Sequence, residues 1–203
     1  MASLVLAGDT SGSITVSAPA VAGSTTQTLV NVTGTLAPVV SGTVNAGGTN
    51  PFPGTGGPAT VDFTGIPSWV KRITVMLNGV STNGSSLPQI QLGDSGGVET
   101  TGYLAMISNV QTTVNTTRGV TATTGFILSH AGAATNVLNG VTTFCLLGSN
   151  IWTASGNLYE TGGVGLNSVS GTKTLSDTLT QVRITTVNGT DIFDAGSINI
   201  FYE

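Results

Sequence analysis

Ser95 lies in LGDSGG, residues 92–97, the stretch of this chain that comes nearest to a nucleophile motif. A serine nucleophile needs a histidine base within hydrogen-bond reach and a carboxylate that orients the histidine. The chain has one histidine, His130, and it follows Ser95, whereas proteases with this motif carry histidine and aspartate before the serine. We therefore interpret the stretch as a glycine-rich turn in which Asp94 accepts hydrogen bonds from its own backbone, and we predict no catalytic residues.

Few other side chains could take part in catalysis or bind a metal, and they are scattered along the chain. Asp191 and Asp194, in a turn after an Asn-Gly pair, are the closest two carboxylates. Two carboxylates can serve glycoside hydrolysis or bind Ca²⁺, but two in one turn are the ordinary appearance of a solvated loop. One histidine and one cysteine do not make a zinc site. We predict no metal and no cofactor, with His130 as a polar surface or packing residue and Cys145 as a small core residue.

Trp69 stands just before Lys71 and Arg72, the only two adjacent charges in the chain. Tryptophan and arginine are enriched at subunit contacts, so these three residues are predicted to lie at the rim of an interface. The two charges also fit the edge of a strand, where charge discourages wrong strand pairing.

Trp152 and Tyr159, in IWTASGNLY, form a second aromatic pair. Aromatic rings with a polar tip serve as core anchors and as contact surfaces. If both rings are exposed, they would form a shallow groove on which a glycan stacks, and this is the alternative to a core position for Trp152.

Composition limits the partners of the chain. Only 7% of the 203 residues are charged, against about 25% in an ordinary soluble domain. A surface of Thr, Ser, Asn and Gly repels its neighbours weakly, so much of it is expected to pack against other chains. Five basic residues and a net charge of −4 argue against nucleic acid as a partner. No apolar run approaches the length of about 18 residues that a membrane-spanning helix needs.

Residues 1–58 differ in composition from the rest. They carry one charge, Asp9, and end in the glycine- and proline-rich run NAGGTNPFPGTGGPA, which is typical of a linker. Before this run, GSITVSAP and TQTLVNVTGTL alternate apolar and hydroxyl residues and predict short β-strands. We expect an extended N-terminal β arm that becomes ordered by lying on another subunit.

Residues 59–203 form a series of short alternating segments separated by turn residues. In RITVMLNG, Ile73, Val75 and Leu77 recur at every second position, and Asn78-Gly79 then predicts a tight hairpin turn. Further strands are predicted in PQIQLGD, GYLAMIS, GFILSH, TTFCLLG, IWTASG, QVRITTVNG and SINIFYE. About eight to ten strands at this spacing predict an all-β chain whose second domain is an antiparallel β-sandwich or jelly roll.

The segments FTGIPSWVKRITVMLNGVSTNGSS and IQLGDSGGVETTGY resemble part of the virion proteins of tailed bacteriophages and prophages, which include tail-fibre, head-fibre and decoration proteins. The resemblance extends over residues 59–203 and is most specific over residues 63–103. The opening SLVLAGDTSGSITVSAPAVAGSTTQTL is similar to N-terminal segments of fibre-like proteins from cyanophages and other aquatic phages, in which a β-structured attachment region precedes a linker.

The resemblance implies a structural β-sandwich protein of the virion, usually trimeric and without catalysis. The short chain and its arm with a single charge favour a capsid decoration (cement) protein, which would bind the major capsid protein as a homotrimer at local three-fold positions. The alternative is a short tail- or head-fibre protein whose sandwich binds a host surface glycan. A hydrolase that uses Ser95 or Asp191 is the third hypothesis.

Overall fold

A computed structural model describes the chain in five segments. These are residues 3–7, 13–17, 56–112, 117–162 and 165–203. The chain divides into two compact units, residues 1–36 and 37–203.

Two short strands of the first unit pair with each other. Strand β1 spans Ser3–Ala7 and strand β2 spans Ser13–Ser17, and they run antiparallel. Strand β2 coincides with the strand predicted in GSITVSAP. The strand predicted in TQTLVNVTGTL and residues 45–55 of the predicted linker lie outside the described residues.

A seven-stranded antiparallel sheet is the larger layer of the second unit. Its strands are β4 (Arg72–Thr82), β7 (Tyr103–Gln111), β8 (Thr117–Ala122), β10 (Leu138–Gly148), β11 (Ile151–Glu160), β12 (Gly165–Thr174) and β14 (Phe193–Tyr202). They lie side by side in the order β14-β4-β10-β11-β12-β7-β8. Threonine, valine and isoleucine are frequent in these strands because branched side chains fit a pleated surface.

A smaller antiparallel sheet forms the second layer. Its strands are β3 (Val61–Thr64), β5 (Pro88–Asp94), β6 (Gly97–Val98), β9 (Phe126–Ile127) and β13 (Gln181–Thr186). They lie in the order β3-β13-β5-β6, and β9 also pairs with β5. Alternate residues of both sheets point inward and bury one apolar core.

The alternation that predicted the strands also identifies the core. Ile73, Val75 and Leu77 are buried, as are Val182 and Ile184. The described residues contain no helix, and the two antiparallel sheets of the second unit confirm the predicted all-β sandwich.

Aromatic rings join the two layers at the centre of the core. The Phe144 ring, on the large sheet, meets the Phe126 ring of the small sheet with centroids 5.2 Å apart. Tyr103 meets the same Phe126 ring edge-on at 5.1 Å. Such tilted and edge-on pairs add about 0.5–1.5 kcal/mol beyond the area that they bury. The three rings therefore help to hold the sheets together.

The hairpin turn predicted at Asn78-Gly79 is wrong. Strand β4 runs through both residues, and its register with each neighbouring strand shifts there. Gly79 has a φ of 67°, and its backbone N–H donates to the Asn139 side chain at 2.8 Å. The positive φ that the Asn-Gly pair indicated is used for a β-bulge within a long strand. The pair bends the strand and does not reverse the chain.

The predicted core position of Cys145 is also wrong, since its side chain is exposed. Phe144, its neighbour in β10, is fully buried. Successive side chains of a strand point to opposite faces, so the inward position of Phe144 turns Cys145 outward.

Candidate functional site

Four rows of outward-pointing side chains cross the large sheet, and we call the surface that they form the outer face. Residues paired directly across antiparallel strands point to the same side of a sheet. In strand register, the rows are Thr117, Val110, Leu166, Tyr159 and Asn139; Gly119, Ser108, Ser168, Asn157, Val141 and Met76; Thr121, Met106, Ser170, Ser155, Thr143 and Thr74; and Leu104, Thr172, Thr153, Cys145 and Arg72. The outer face thus spans strands β8, β7, β12, β11, β10 and β4.

The outer face is almost without charge. Among the residues of these four rows, Arg72 alone is charged, and it forms an ion pair with Glu203. The remaining side chains are hydroxyl, amide, thiol or apolar groups. Hydroxyl and amide groups hold water less firmly than Lys and Glu do, so covering this surface with a protein that supplies hydrogen-bond partners costs less desolvation than covering a charged one.

Three apolar side chains form one continuous strip at an end of the outer face. Val110, Leu166 and Tyr159 lie in register on the neighbouring strands β7, β12 and β11. They are 58%, 50% and 48% exposed. We call these three residues the apolar row. Large apolar groups that adjoin each other at a surface mark contact sites more often than scattered ones do.

A shallow apolar depression lies farther along the same face. It has a volume of about 340 Å³, and its lining includes Leu104, Met106, Thr121 and Gly171. Leu104 is 76% exposed and Met106 is 48% exposed. In GYLAMIS, residues 102–108, the five residues from 103 to 107 are all apolar. The sequence therefore indicated that β7 carries apolar groups on both of its faces. The sequence interpretation did not use it.

The residues predicted at an interface rim, Trp69, Lys71 and Arg72, surround the end of the chain. Trp69 is 37% exposed, and its ring lies 6.0 Å from that of Tyr202. The backbone N–H groups of Lys71 and Arg72 both donate to the Glu203 carbonyl at 2.8 Å. These contacts hold the C-terminus beside β4, and the interface role stays a prediction.

The predicted groove of Trp152 and Tyr159 is wrong because the two rings point in opposite directions. Trp152 is 2% exposed and lies in the core, whereas Tyr159 is 48% exposed on the outer face. Seven positions along one strand separate them, and an odd separation places two side chains on opposite sides of a sheet. Tyr159 alone remains available to a ligand.

The LGDSGG stretch forms the turn predicted from the sequence. It joins β5 to β6, and the Asp94 carboxylate accepts from the Gly96 backbone N–H at 2.8 Å. The same carboxylate accepts from the Ser176 hydroxyl at 2.6 Å. The hydrogen bond from Ser176, followed by that from Gly96, lowers the pKa of Asp94 below its usual range. The ionised Asp94 carboxylate therefore stabilises this turn through hydrogen bonds to Gly96 and Ser176.

A second polar cluster lies beside the turn and connects the two sheets. Lys173, which is buried on β12, pairs with Glu99 and lies 5.2 Å from the centre of the Tyr103 ring. The Ser176 backbone N–H donates to Glu99 at 2.7 Å. Burial opposes ionisation of Glu99, but the hydrogen bonds from Lys173 and Ser176 lower its pKa overall. Burial raises the pKa of the Tyr103 hydroxyl, which donates to the Glu99 carbonyl at 2.8 Å.

Asp191 and Asp194 act separately. Asp191 accepts from the Ser86 backbone at 2.8 Å and from the Asn188 amide at 2.7 Å, so it organises its own loop. Asp194 lies on β14 and accepts from the Ser81 hydroxyl. The two carboxylates are occupied by different partners and do not converge on one point.

A buried cluster around Glu160 was not predicted. Glu160 is 1% exposed, and its carboxylate accepts from Ser129 at 2.9 Å, from Asn167 at 2.6 Å and from Asn136. His130 lies 3.8 Å from the same carboxylate. The residue types match a serine hydrolase, but the Ser129 hydroxyl is itself buried and points at the carboxylate. The arrangement fastens the loop before β10 to the end of β11, and no sequence spacing indicated it.

The described residues include no group of three His, Cys, Asp or Glu side chains that could hold a metal ion. They also include no helix that is long and apolar enough to cross a membrane. No protein-family model, curated protein or solved structure matches the chain.

Proposed function

We propose that this chain is a non-enzymatic structural protein of a tailed-bacteriophage virion, and that it acts as a capsid decoration protein. Its partners in this proposal are the major capsid protein and two further copies of itself in a homotrimer. One observation carries the proposal: the outer face presents four rows of side chains that are neutral except for Arg72, with exposed apolar groups among them. A protein that acts by packing against neighbours needs such a surface.

The physical role of a decoration protein is to add contact area. Each contact of one copy can be weak, because three linked copies bind with an avidity that exceeds one contact by about 10²–10⁴. Contacts that bridge capsid subunits oppose the outward pressure of packaged DNA. No bond is made or broken in this role, which agrees with the internal hydrogen bonds that occupy Asp94, Asp191 and Glu160.

The N-terminal arm supplies a second means of attachment. Residues 1–58 carry one charge, and strand β2 within them follows the hydroxyl and apolar alternation of a sheet-forming segment. An extended arm of this composition can add strands to a neighbouring sheet or lay apolar side chains on it. We propose that the arm contacts the major capsid protein.

The number of copies in a virion tests the proposal. Virions are purified from the phage whose genome encodes this chain and are digested with a protease. Mass spectrometry then gives the amount of the chain relative to the major capsid protein. On the order of hundreds of copies is expected for a protein that repeats over an icosahedral shell. Absence of the chain from purified particles would refute a virion role.

Deletion of residues 1–50 tests the arm. The truncated protein is expected to remain a folded trimer, because the two sheets of the sandwich lie after this segment. It is expected to lose binding to undecorated capsids in co-sedimentation. Capsid binding equal to that of the full chain would contradict the proposed role of the arm.

A fibre protein that binds a host surface glycan is the second candidate, and the exposed Tyr159 ring is the observation that favours it. An exposed aromatic face beside hydroxyl groups can stack against a sugar ring. Binding on a glycan array that disappears in Tyr159→Ala, together with a few copies in each virion, would favour the fibre over the decoration protein.

A further inference from the structure

We infer that a depression on the outward side of the small sheet binds a neutral oligosaccharide. The depression has a volume of about 380 Å³. It lies on the opposite side of the sandwich from the outer face, so it is separate from Tyr159. The inference concerns a further binding site and does not depend on the virion role.

Strand register builds the floor of the depression. Gln91 lies directly opposite Arg183, and Gln89 lies directly opposite Thr185, on the neighbouring strands β5 and β13. Residues paired in this way point to the same side of a sheet. Ile90, between the two glutamines, is fully buried in the core, so the glutamines and their partners point outward. We call these four polar residues the polar floor.

The polar floor holds an acceptor that the chain leaves unpaired. Gln91 lines the depression and is 5% exposed, and its amide nitrogen donates to the Thr124 carbonyl at 2.9 Å. A carbonyl can only accept, so this contact identifies the nitrogen end of the amide. Among the residues that the structure describes, none donates to the Gln91 Oε1 atom. This oxygen therefore offers a ligand hydroxyl an acceptor whose position is set in advance.

A second amide of the polar floor has a donor to spare. The Gln89 Oε1 atom accepts from the Thr124 hydroxyl at 3.0 Å. Its Nε2 atom lies 3.5 Å from the Thr186 carbonyl, at the outer limit of a hydrogen bond. An amide nitrogen carries two N–H groups, so Gln89 can donate to a ligand and keep its contact with Thr124. The floor thus presents a donor and an acceptor at alternate positions of one strand.

Charge excludes an ionic ligand. Arg183 is the one charged side chain that lines the depression, and its Nε and Nη2 atoms both donate to Asp62 at 2.7 Å. A charged ligand would lose water here and meet no free counter-charge. A neutral ligand has no such penalty.

The remaining lining favours a ligand rich in hydroxyls. Val187 is the one apolar side chain in the lining, and it is 49% exposed. A peptide or an apolar ligand would bring more apolar area than one valine covers. Sugar hydroxyls donate and accept as the amides and threonines of the lining do, and the C–H groups of a sugar ring can contact Val187.

Size and affinity agree with a short oligosaccharide. The volume is near the lower end of the range of about 300–1,000 Å³ that ligand sites have. Each hydrogen bond to the sugar replaces one to water, so a single site is expected to bind weakly, with a dissociation constant of about 1 mM.

The first test places the full-length protein on an array of neutral hexose and N-acetylhexosamine oligosaccharides and their sulfated or uronic acid counterparts. Binding to neutral members and not to the acidic counterparts is expected. Saturation-transfer NMR with the neutral oligosaccharide that binds best on the array then gives the dissociation constant. No binding to any neutral member, or binding to acidic members alone, would overturn the inference.

Variants locate the site. Gln91→Ala removes the unpaired acceptor and is expected to raise the dissociation constant at least about fivefold, the effect of one lost hydrogen bond. Val187→Ala removes the apolar contact and is expected to raise it about threefold. Val141→Ala is the matched control, because Val141 is 46% exposed on the outer face. This control and Tyr159→Ala are expected to bind as wild type does.

The variants also separate this site from the others. Wild-type binding by both Gln91→Ala and Val187→Ala would overturn the inference, as would a loss in Tyr159→Ala that Val187→Ala does not show. If Gln91→Ala fails to give wild-type circular dichroism, the exposed substitution Val187→Ala carries the test. The copy count in virions is an independent result. A chain that binds the oligosaccharide but is absent from particles removes the virion role alone.

Discussion

The outward surfaces of the two sheets differ in how far their polar side chains are hydrogen-bonded within the chain. On the small sheet, Arg183 donates to both carboxylate oxygens of Asp62 at 2.7 Å, and the Gln91 amide donates to the Thr124 carbonyl at 2.9 Å. The Thr185 hydroxyl donates to the backbone of the segment before β3 at 3.1 Å. We call this surface the polar face. The outer face instead presents apolar groups and short hydroxyl side chains to water.

This contrast between the two surfaces shows where a partner could still gain binding energy. Hydrogen bonding with Asp62 raises the pKa of Arg183, while burial acts the other way, so this guanidinium is already engaged. A polar group that is satisfied within the protein gains little from a partner, because a new contact only exchanges one hydrogen bond for another. Exposed apolar area gains about 25 cal/mol per Å² when it is covered. The outer face is the surface with that area still exposed.

The largest effect is expected where both faces depend on one core contact. Phe144→Ala removes the ring that meets Phe126 across the two sheets and is expected to lower the free energy of unfolding by about 3–5 kcal/mol. Urea unfolding followed by circular dichroism measures this change. Leu147→Ala, an exposed position of the same strand, is the control and should change it by less than about 0.5 kcal/mol. Equal effects of the two substitutions would contradict the burial of Phe144.

A smaller loss is expected at the ion pair that connects the sheets beside the LGDSGG turn. Glu99→Gln leaves the buried Lys173 ammonium without its carboxylate and is expected to cost about 1–3 kcal/mol. Lys173→Met in the same chain removes the unpaired charge and should restore part of the loss. A double-mutant cycle by thermal unfolding measures the coupling. Additive losses would mean that the two groups do not interact.

Acid is expected to weaken the same region. The pKa values of Asp94 and Glu99 lie below their usual 3.8 and 4.5, so the folded state favours both charged forms. Their contribution to stability is complete above these usual values and is lost as the pH falls through the lowered ones. Urea midpoints should therefore decrease as the pH is lowered from 5 toward 2. In Asp94→Asn the decrease should be shallower, and a profile parallel to wild type would contradict the role of Asp94.

The smallest effect on stability is expected on the outer face itself. Leu104→Ser replaces a side chain that is 76% exposed, and the free energy of unfolding of the monomer should change by less than about 0.5 kcal/mol. Equilibrium unfolding at a concentration below the dissociation constant of the proposed trimer provides the measurement. A larger loss would show that the side chain already packs within its own chain.

Much of the sandwich was predictable because a strand buried on one side carries an apolar residue at every second position. Ile73, Val75 and Leu77 recur at every second position of a predicted strand, and all three are buried. The turn at LGDSGG was predictable because an aspartate before Gly-Gly bonds its own backbone. These are local rules, and they hold without knowledge of the neighbouring strand.

The candidate site was less predictable, since it depends on how strands are ordered and registered. Trp152 and Tyr159 were grouped by proximity in the chain, but strand parity separates them. Leu166 and Val110 are distant in the chain, yet β12 and β7 bring them side by side. The Asn78-Gly79 pair indicated a positive φ, but whether this makes a turn or a bulge is decided by the strands on both sides.

The strand period, the inward set of apolar residues and the low charge follow from residue type and local geometry, so they can be derived from the amino-acid sequence. The neighbours of each outward residue follow instead from the folded sheet, because rows across a sheet are set by hydrogen-bond register between segments far apart in the chain. The apolar row exists through that register alone: one slip of a single residue in β12 would turn Leu166 toward the core and Asn167 outward.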